Sequence, residues 1–304
     1  MNSTDWPPLP FREWEATCDT VHMWTQIVGK TRMVLSPPQN HWWHVPLYVT
    51  PRGLTTSAIP LEDGSFDVDF DFLAHRLCVH TSAGEERSFP LIPRPVADFY
   101  QEYMTSLRSL GIEVEIDPTP AEFDDPTPYD RDRRHASYDR GAVERFHQIL
   151  VRADRLLHQF RGRFLGKCSP VHFFWGSFDL AVTRFSGRRA PSLEGADPVT
   201  REAYSHEVSS CGFWPGDRRY PAAAFYAYHS PAPPGLEKAE VQPGGWNAQL
   251  GEFLLPYDDV RAADSGDRAV LDFCQSAYEA GARLAGWDRE ALERPAPHTH
   301  RSTI

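Results

Sequence analysis

Pro170 to Pro191 reads PVHFFWGSFDLAVTRFSGRRAP, and the fold is read outward from it. Aromatic and β-branched residues dominate, and these fit a pleated strand. A strand covered on both faces reads as nearly continuous apolar sequence. Within the run stand His172, Asp179 and Arg184, polar groups whose burial demands partners. Gly176 in the interior predicts a bulge or a close backbone approach. In one straight strand His172 and Asp179, seven residues apart, face opposite ways. A bulge at Gly176 turns them to one face, where Asp179 could orient His172 for acid–base work. The alternative is that each is a satisfied core group, with Asp179 paired to Arg184.

The rest of the chain frames this strand in an α+β pattern. Phe11, Trp14, Cys18, Val21, Thr25 and Val28 recur at helical steps, which predicts a helix over 11–35. The FDVDFDF run at 66–72 alternates apolar and acidic residues, so its phenylalanines face a core and Asp67, Asp69 and Asp71 face solvent. A hairpin follows over 76–91, then a helix marked by Val96, Phe99, Tyr103 and Leu107. Residues 118–137 are dense in Pro, Asp and Arg and read as a linker. A second long helix carries Val143, Phe146, Ile149, Leu150, Leu157 and Phe160 on one face. Residues 188–203 read as an ordered loop or lid. Strands are expected over 204–210, 222–229 and 251–255, and a last helix over 265–284.

This order of elements occurs twice. A shift of 128 residues lays His44 on His172, Leu54 on Val182 and Thr55 on Thr183. The expected organisation is two tandem, duplicated halves, each a long helix followed by mainly antiparallel strands and a C-terminal helix. The halves are 1–117 and 138–290, the linker lies between them, and 291–304 is a disordered tail. The crevice between the halves is then the default pocket.

Composition narrows the class. A net charge of −11 argues against nucleic acid or an anionic membrane as the main partner. A small-molecule ligand is the expected partner, and oligomeric state is left open. The five Cys are scattered without CxxC spacing, which indicates neither a zinc ribbon nor a disulfide framework. The N-terminal residues lack the pattern of a signal peptide, and no apolar run reaches membrane-spanning length, so the cytoplasm is the expected location.

The candidate chemistry concentrates in the second half. His172, Asp179, His206 and Glu207 are the candidate catalytic groups. Arg184, Trp175, Trp214 and Glu252 are candidate substrate contacts. His172, His206 and Glu252 form a candidate three-ligand set for a divalent metal, zinc or iron. His206-Glu207 lacks the second His of HExxH. Ser177 stands in GSFD rather than GxSxG, so no nucleophile elbow is indicated. Cys211 reads as a buried thiol. His41 and His44 flank two Trp and read as capping an aromatic cluster. No GxGxxG or Walker A motif occurs.

Four stretches carry a family resemblance. They are HFFWGSFDLAVTRFSGRRAP, HEVSSCGFWPGD at 206–217, GEFLLPYDDVRA at 251–262 and WTQIVGKTRMVLSPPQNHWWHVPLYVTPRGLTTS at 24–57. The chain resembles, over nearly its whole length, a bacterial domain-of-unknown-function family, number 5996. The resemblance implies a single-chain protein of about this length and supplies no mechanism. It also implies Gly or Ala where Cys211 stands and a residue other than His at position 229. The sequence supports an enzyme using acid–base or metal-assisted, hydrolase-like chemistry on a small polar molecule. The alternatives are a non-catalytic binding protein and a structural or interaction module.

Overall fold

The computed structural model describes residues 6–123 and 126–294. Helix α1 (Phe11–Leu35) is followed by β1 (Tyr48–Thr50), β2 (Gly53–Thr55), β3 (Ile59–Leu61), β4 (Gly64–Asp71), β5 (Arg76–Thr81) and β6 (Glu86–Pro90). Helix α2 (Val96–Ser109) closes the first half. The second half runs α3 (Arg140–Gly162), β7 (His172–Phe174), β8 (Asp179–Arg189), α4 (Pro198–Ala203), β9 (His206–Trp214) and β10 (Ala224–Ser230). It ends with β11 (Gly245–Asn247), β12 (Glu252–Pro256), α5 (Tyr257–Ala262), α6 (Gly266–Leu284) and α7 (Arg289–Leu292). The fold is α+β, with two antiparallel sheets.

The first sheet runs β1-β2-β4-β5-β6, with β3 also on β4; the second runs β11-β12-β10-β9-β8-β7. The sheets meet edge to edge where Leu47 and Phe173 exchange backbone hydrogen bonds of 2.9 and 2.8 Å. Both halves therefore share the order helix, strands, helix. They differ in how the sheet ends: β12 inserts between β10 and β11, whereas the first sheet is a plain meander with a split strand.

One apolar core runs through both halves, from Trp14 and Trp24 on α1 through Phe99 and Phe146 to Phe273 on α6. The segment over 118–137 is part of this packing rather than a free connection. Gln26 on α1 donates to the Ala121 carbonyl at 2.9 Å and accepts from Ala121 N–H and the Tyr129 hydroxyl, each at 2.8 Å. Tyr129 and Asp132 are fully buried, so polar, Pro-rich composition disguised an ordered strap. Asp124 and Asp125 within it lie outside the described residues. Of the expected tail, α7 and Arg294 are clipped to the end of α3, with Arg294 N–H donating to Arg163 at 2.9 Å. Residues 295–304 lie outside the described residues.

The opening stretch is a hairpin, not one bulged strand. The chain turns over Trp175–Phe178, and Phe178 takes a φ of 59°. The pairs Phe174↔Asp179 and His172↔Ala181 then put His172 and Asp179 on the same side of the sheet, one step apart along it. Trp175 pins the hairpin down: its indole lies on Gly29 of α1, where an added Cβ would stand 2.2 Å from the ring, and its N–H donates to the Val45 carbonyl at 2.8 Å. No helix among the described residues is long and apolar enough to cross a membrane.

Candidate functional site

The second sheet has two unlike faces because strand residues alternate. Leu180, Val182, Cys211, Phe213, Phe225 and Phe253 point to the large core under α3 and α6. Asp179, Ala181, Thr183, Ser210, Tyr226, Tyr228 and Glu252 point the other way, into a cavity of about 880 Å³. That volume suits a small metabolite. The cavity is roofed by α1 through Asp19 and His22, by His41 and Trp43, by α4, and by the loop carrying Arg218. Arg218 holds the loop to α1 through Glu15 at 2.9 Å and Asp19 at 2.5 Å.

Asp179 is the buried anchor of the cavity floor. It accepts from the Ser177 hydroxyl at 2.5 Å and from the Tyr226 phenol. Tyr226 and Asp179 stand on strands separated by β9, so the phenol must cross a strand to reach the carboxylate. Gly212 makes the crossing feasible: an added Cβ there would lie 2.5 Å from the Tyr226 hydroxyl and from the Leu180 carbonyl. Burial pushes the Asp179 carboxyl up, and the bonds from Ser177 and Tyr226 pull it part of the way back. Tyr226 stacks on Tyr228 at 6.1 Å, and the Tyr228 and Tyr204 hydroxyls lie 3.0 Å apart. Burial drives the Tyr226 and Tyr228 phenols well above their ordinary value, so both stay protonated.

Glu252 opens β12, one step past the Ala227↔Phe253 pair. Burial, and then the charge of Asp179, push its carboxyl up to about 7. Glu122, whose carboxylate lies over Gly176, is pushed up by the same two causes in the same order, and Arg219 draws it part of the way back. Neither Glu252 nor Glu122 accepts a hydrogen bond from a described residue. His22 stacks on Phe178, with Nε2 2.9 Å from the Gly176 carbonyl, and burial brings it down to about 4. At the far end, His41 Nε2 accepts from Lys167 at 2.7 Å, which leaves Nδ1–H for the carbonyls of Glu202 and Ala203. His41 and Trp42 both take a φ of 59°, a left-handed bend that directs this imidazole under α4.

Of the candidate catalytic and substrate-contact residues, Asp179, Glu252 and Trp214 line the cavity. His172 does not. It is fully buried between Trp43, Tyr48 and Phe174, with no partner on either ring nitrogen among the described residues, and burial, with Arg32 and Arg161, brings it down to about 3. No hydrogen bond joins it to Asp179. Arg184 faces the opposite side of the sheet from Asp179, because the separation is odd. Its guanidinium sits 3.4 Å from the Phe160 ring centroid, beside Phe164 and Tyr278, and donates to the Phe160 carbonyl. Trp175 is the hairpin pin already described. Glu207 is bound by Arg188 at 2.7 Å and Ser186 at 2.9 Å. His206 stands edge-on to His41 at 5.5 Å, behind the cavity wall.

The proposed metal set is not assembled. The described residues hold two close groups of ligand-type side chains, Asp67–Asp69–His80 and Cys78–His80–Glu86. Both lie on the outer face of the first sheet, and neither contains His172, His206 or Glu252. The sequence reading passed over Tyr204, Tyr226, Tyr228, His22 and Glu122. The Phe-Tyr-Ala-Tyr alternation at 225–228 was a usable signal, since it puts two phenols on one strand face. Glu122 was hidden in a segment read as linker.

Comparison with curated proteins gave no match, and comparison with solved structures gave none. A family model matches residues 6–294, nearly the whole chain, so the fold and the cavity both lie inside the matched region. The protein belongs to a family of unknown function, DUF5996.

Proposed function

We propose that the cavity is an active site for acid–base chemistry on a small polar molecule. One observation carries the reading: Glu252 faces an 880 Å³ cavity with its carboxyl raised to about 7. A group that titrates near neutral pH can both donate and accept a proton there. Asp179 supplies the second element. Buried, and held by Ser177 and Tyr226, its carboxyl adds to burial in raising the Glu252 carboxyl. Such pairs, whose environments move carboxyl groups from their ordinary range, recur where a proton must be transferred. Glu252 takes the role of general acid or base, Asp179 that of its electrostatic partner, and the Tyr204–Tyr228 pair that of a polar wall against which a substrate is oriented.

A binding protein is the second reading, favoured by the aromatic lining of Phe174, Phe178 and Trp214. The test is consumption of components of a metabolite mixture, followed by mass spectrometry, with wild-type protein and Glu252→Gln. A compound consumed by the wild type and not by the variant supports acid–base catalysis. Stoichiometric retention of a compound without conversion favours the binding reading.

A further inference from the structure

We infer that the molecule taken by this cavity is an organic cation, an ammonium or guanidinium on a short apolar body, held between Asp179, Glu252 and Glu122. The inference rests on the reading of the cavity as a substrate site and adds the class of substrate. It begins with which charges in the lining are already paired. Arg218 is bound to Glu15 and Asp19 on α1, and Arg219 to Asp217 at 2.7 Å. Lys167 lies behind the Trp43 and Phe185 rings, engaged with His41. His22 is neutral, because burial brings it down to about 4. Arg219 also acts on Glu122 and lowers its carboxyl, so Asp179 and Glu252 are the carboxyl groups that share the cavity without a cation of their own among the described residues.

The lining hydroxyls are paired as well. Ser177 and Tyr226 serve Asp179, Tyr204 pairs with Tyr228, and Thr183 lies 3.1 Å from Ser210. What remains open is acceptor capacity on Glu252 and Glu122, which asks for a strong donor. An anion in the cavity would add to a like charge, and a neutral polyol would leave that charge uncompensated. A cation relieves it, and the rings supply a second attraction. Aromatic faces draw ammonium and guanidinium groups, most strongly away from water. Phe174, Phe178 and Trp214 also give apolar surface for a methylene chain.

The experiment is isothermal titration of the whole chain with matched probes: butylammonium, 1,4-diammoniobutane and butylguanidinium against 1-butanol, 1,4-butanediol and butyrate. The expected result is binding of at least one cation about tenfold or more tighter than its matched alcohol, weakening with salt, and no binding of butyrate. The double variant Asp179→Asn with Glu252→Gln should bring cation and alcohol to parity. Should that variant fail to fold, Glu122→Gln at the accessible mouth is expected to weaken the cation about threefold and leave the alcohol unchanged. Preference for butanediol or butyrate, or binding of none of the six, overturns the inference. The two readings fail separately. A neutral compound converted in a Glu252-dependent way would remove the cation and keep the acid–base site. A cation bound but never converted would do the reverse.

Discussion

Glu252→Gln is expected to stabilise the protein above pH 7 and to leave it nearly unchanged near pH 4.5. The carboxyl rises from its ordinary 4.5 to about 7 in the folded protein. The fold therefore holds the proton more tightly than the unfolded chain, and ionisation works against folding. The penalty is absent below 4.5, where both states are protonated, grows between 4.5 and about 7, and is complete above that. The interval, 7 − 4.5 = 2.5 pH units, corresponds to about 3.5 kcal/mol at about 1.4 kcal/mol per unit. Glu252 is only half-buried, so screening by solvent reduces this to about 1–2 kcal/mol. Gln keeps the shape and removes the charge. For a chain of this size the gain is about 2–6 °C in Tm at pH 8, read by scanning fluorimetry and checked by urea unfolding. An equal gain at pH 5 and pH 8, or a loss at pH 8, would refute the argument, because only the ionised form carries the cost.

The other predictions concern its neighbours and the residues that the fold set aside. Asp179→Asn should move the Glu252 midpoint down from about 7 by no more than about one pH unit, since burial outweighs the Asp179 charge; carboxyl NMR on labelled protein reads it directly. Tyr226→Phe takes one of the two side-chain donors from Asp179 and should cost about 1.5–3 kcal/mol in urea unfolding. Gly212→Ala should cost a similar amount by forcing Tyr226 aside, and the two changes combined should cost less than their sum; strict additivity would mean that Gly212 does not serve that contact. His172→Leu should be neutral or stabilising by about 1 kcal/mol, because both ring nitrogens are buried without partners, and should leave any activity of the cavity intact. Arg184→Met should stay within about 1 kcal/mol of wild type in stability, whereas Arg184→Ala should lose about 2–4 kcal/mol by opening a void under Phe160.

Local patterning made much of this molecule legible. The three- and four-residue spacing from Phe11 to Val28 carried α1 to its observed end at Leu35, because a helix between aqueous and apolar surroundings writes its period into the chain. The FDVDFDF alternation marked the buried face of β4 in the same way. The polar positions in the opening stretch were harder. Asp179, His172 and Arg184 are all ionisable residues in apolar sequence, and nothing local distinguishes them.

Tertiary structure separated their fates. The turn at Trp175–Phe178 put His172 on the same side of the sheet as Asp179, but Trp43, Tyr48 and Phe174 bury it outside the cavity; the odd spacing sent Arg184 into an aromatic cage, and only Asp179 reached the cavity. The strap carrying Glu122 and Tyr129 read as linker because its partners are on α1, roughly a hundred residues earlier, as the 103-residue separation of Gln26 and Tyr129 illustrates. The sequence by itself determined the long helices and the alternating strand of β4, since burial of one face is encoded within a few residues. Only the folded chain decided which carboxyl groups share a cavity, since that depends on strand register, on a glycine that lets a phenol cross β9, and on contacts between distant segments.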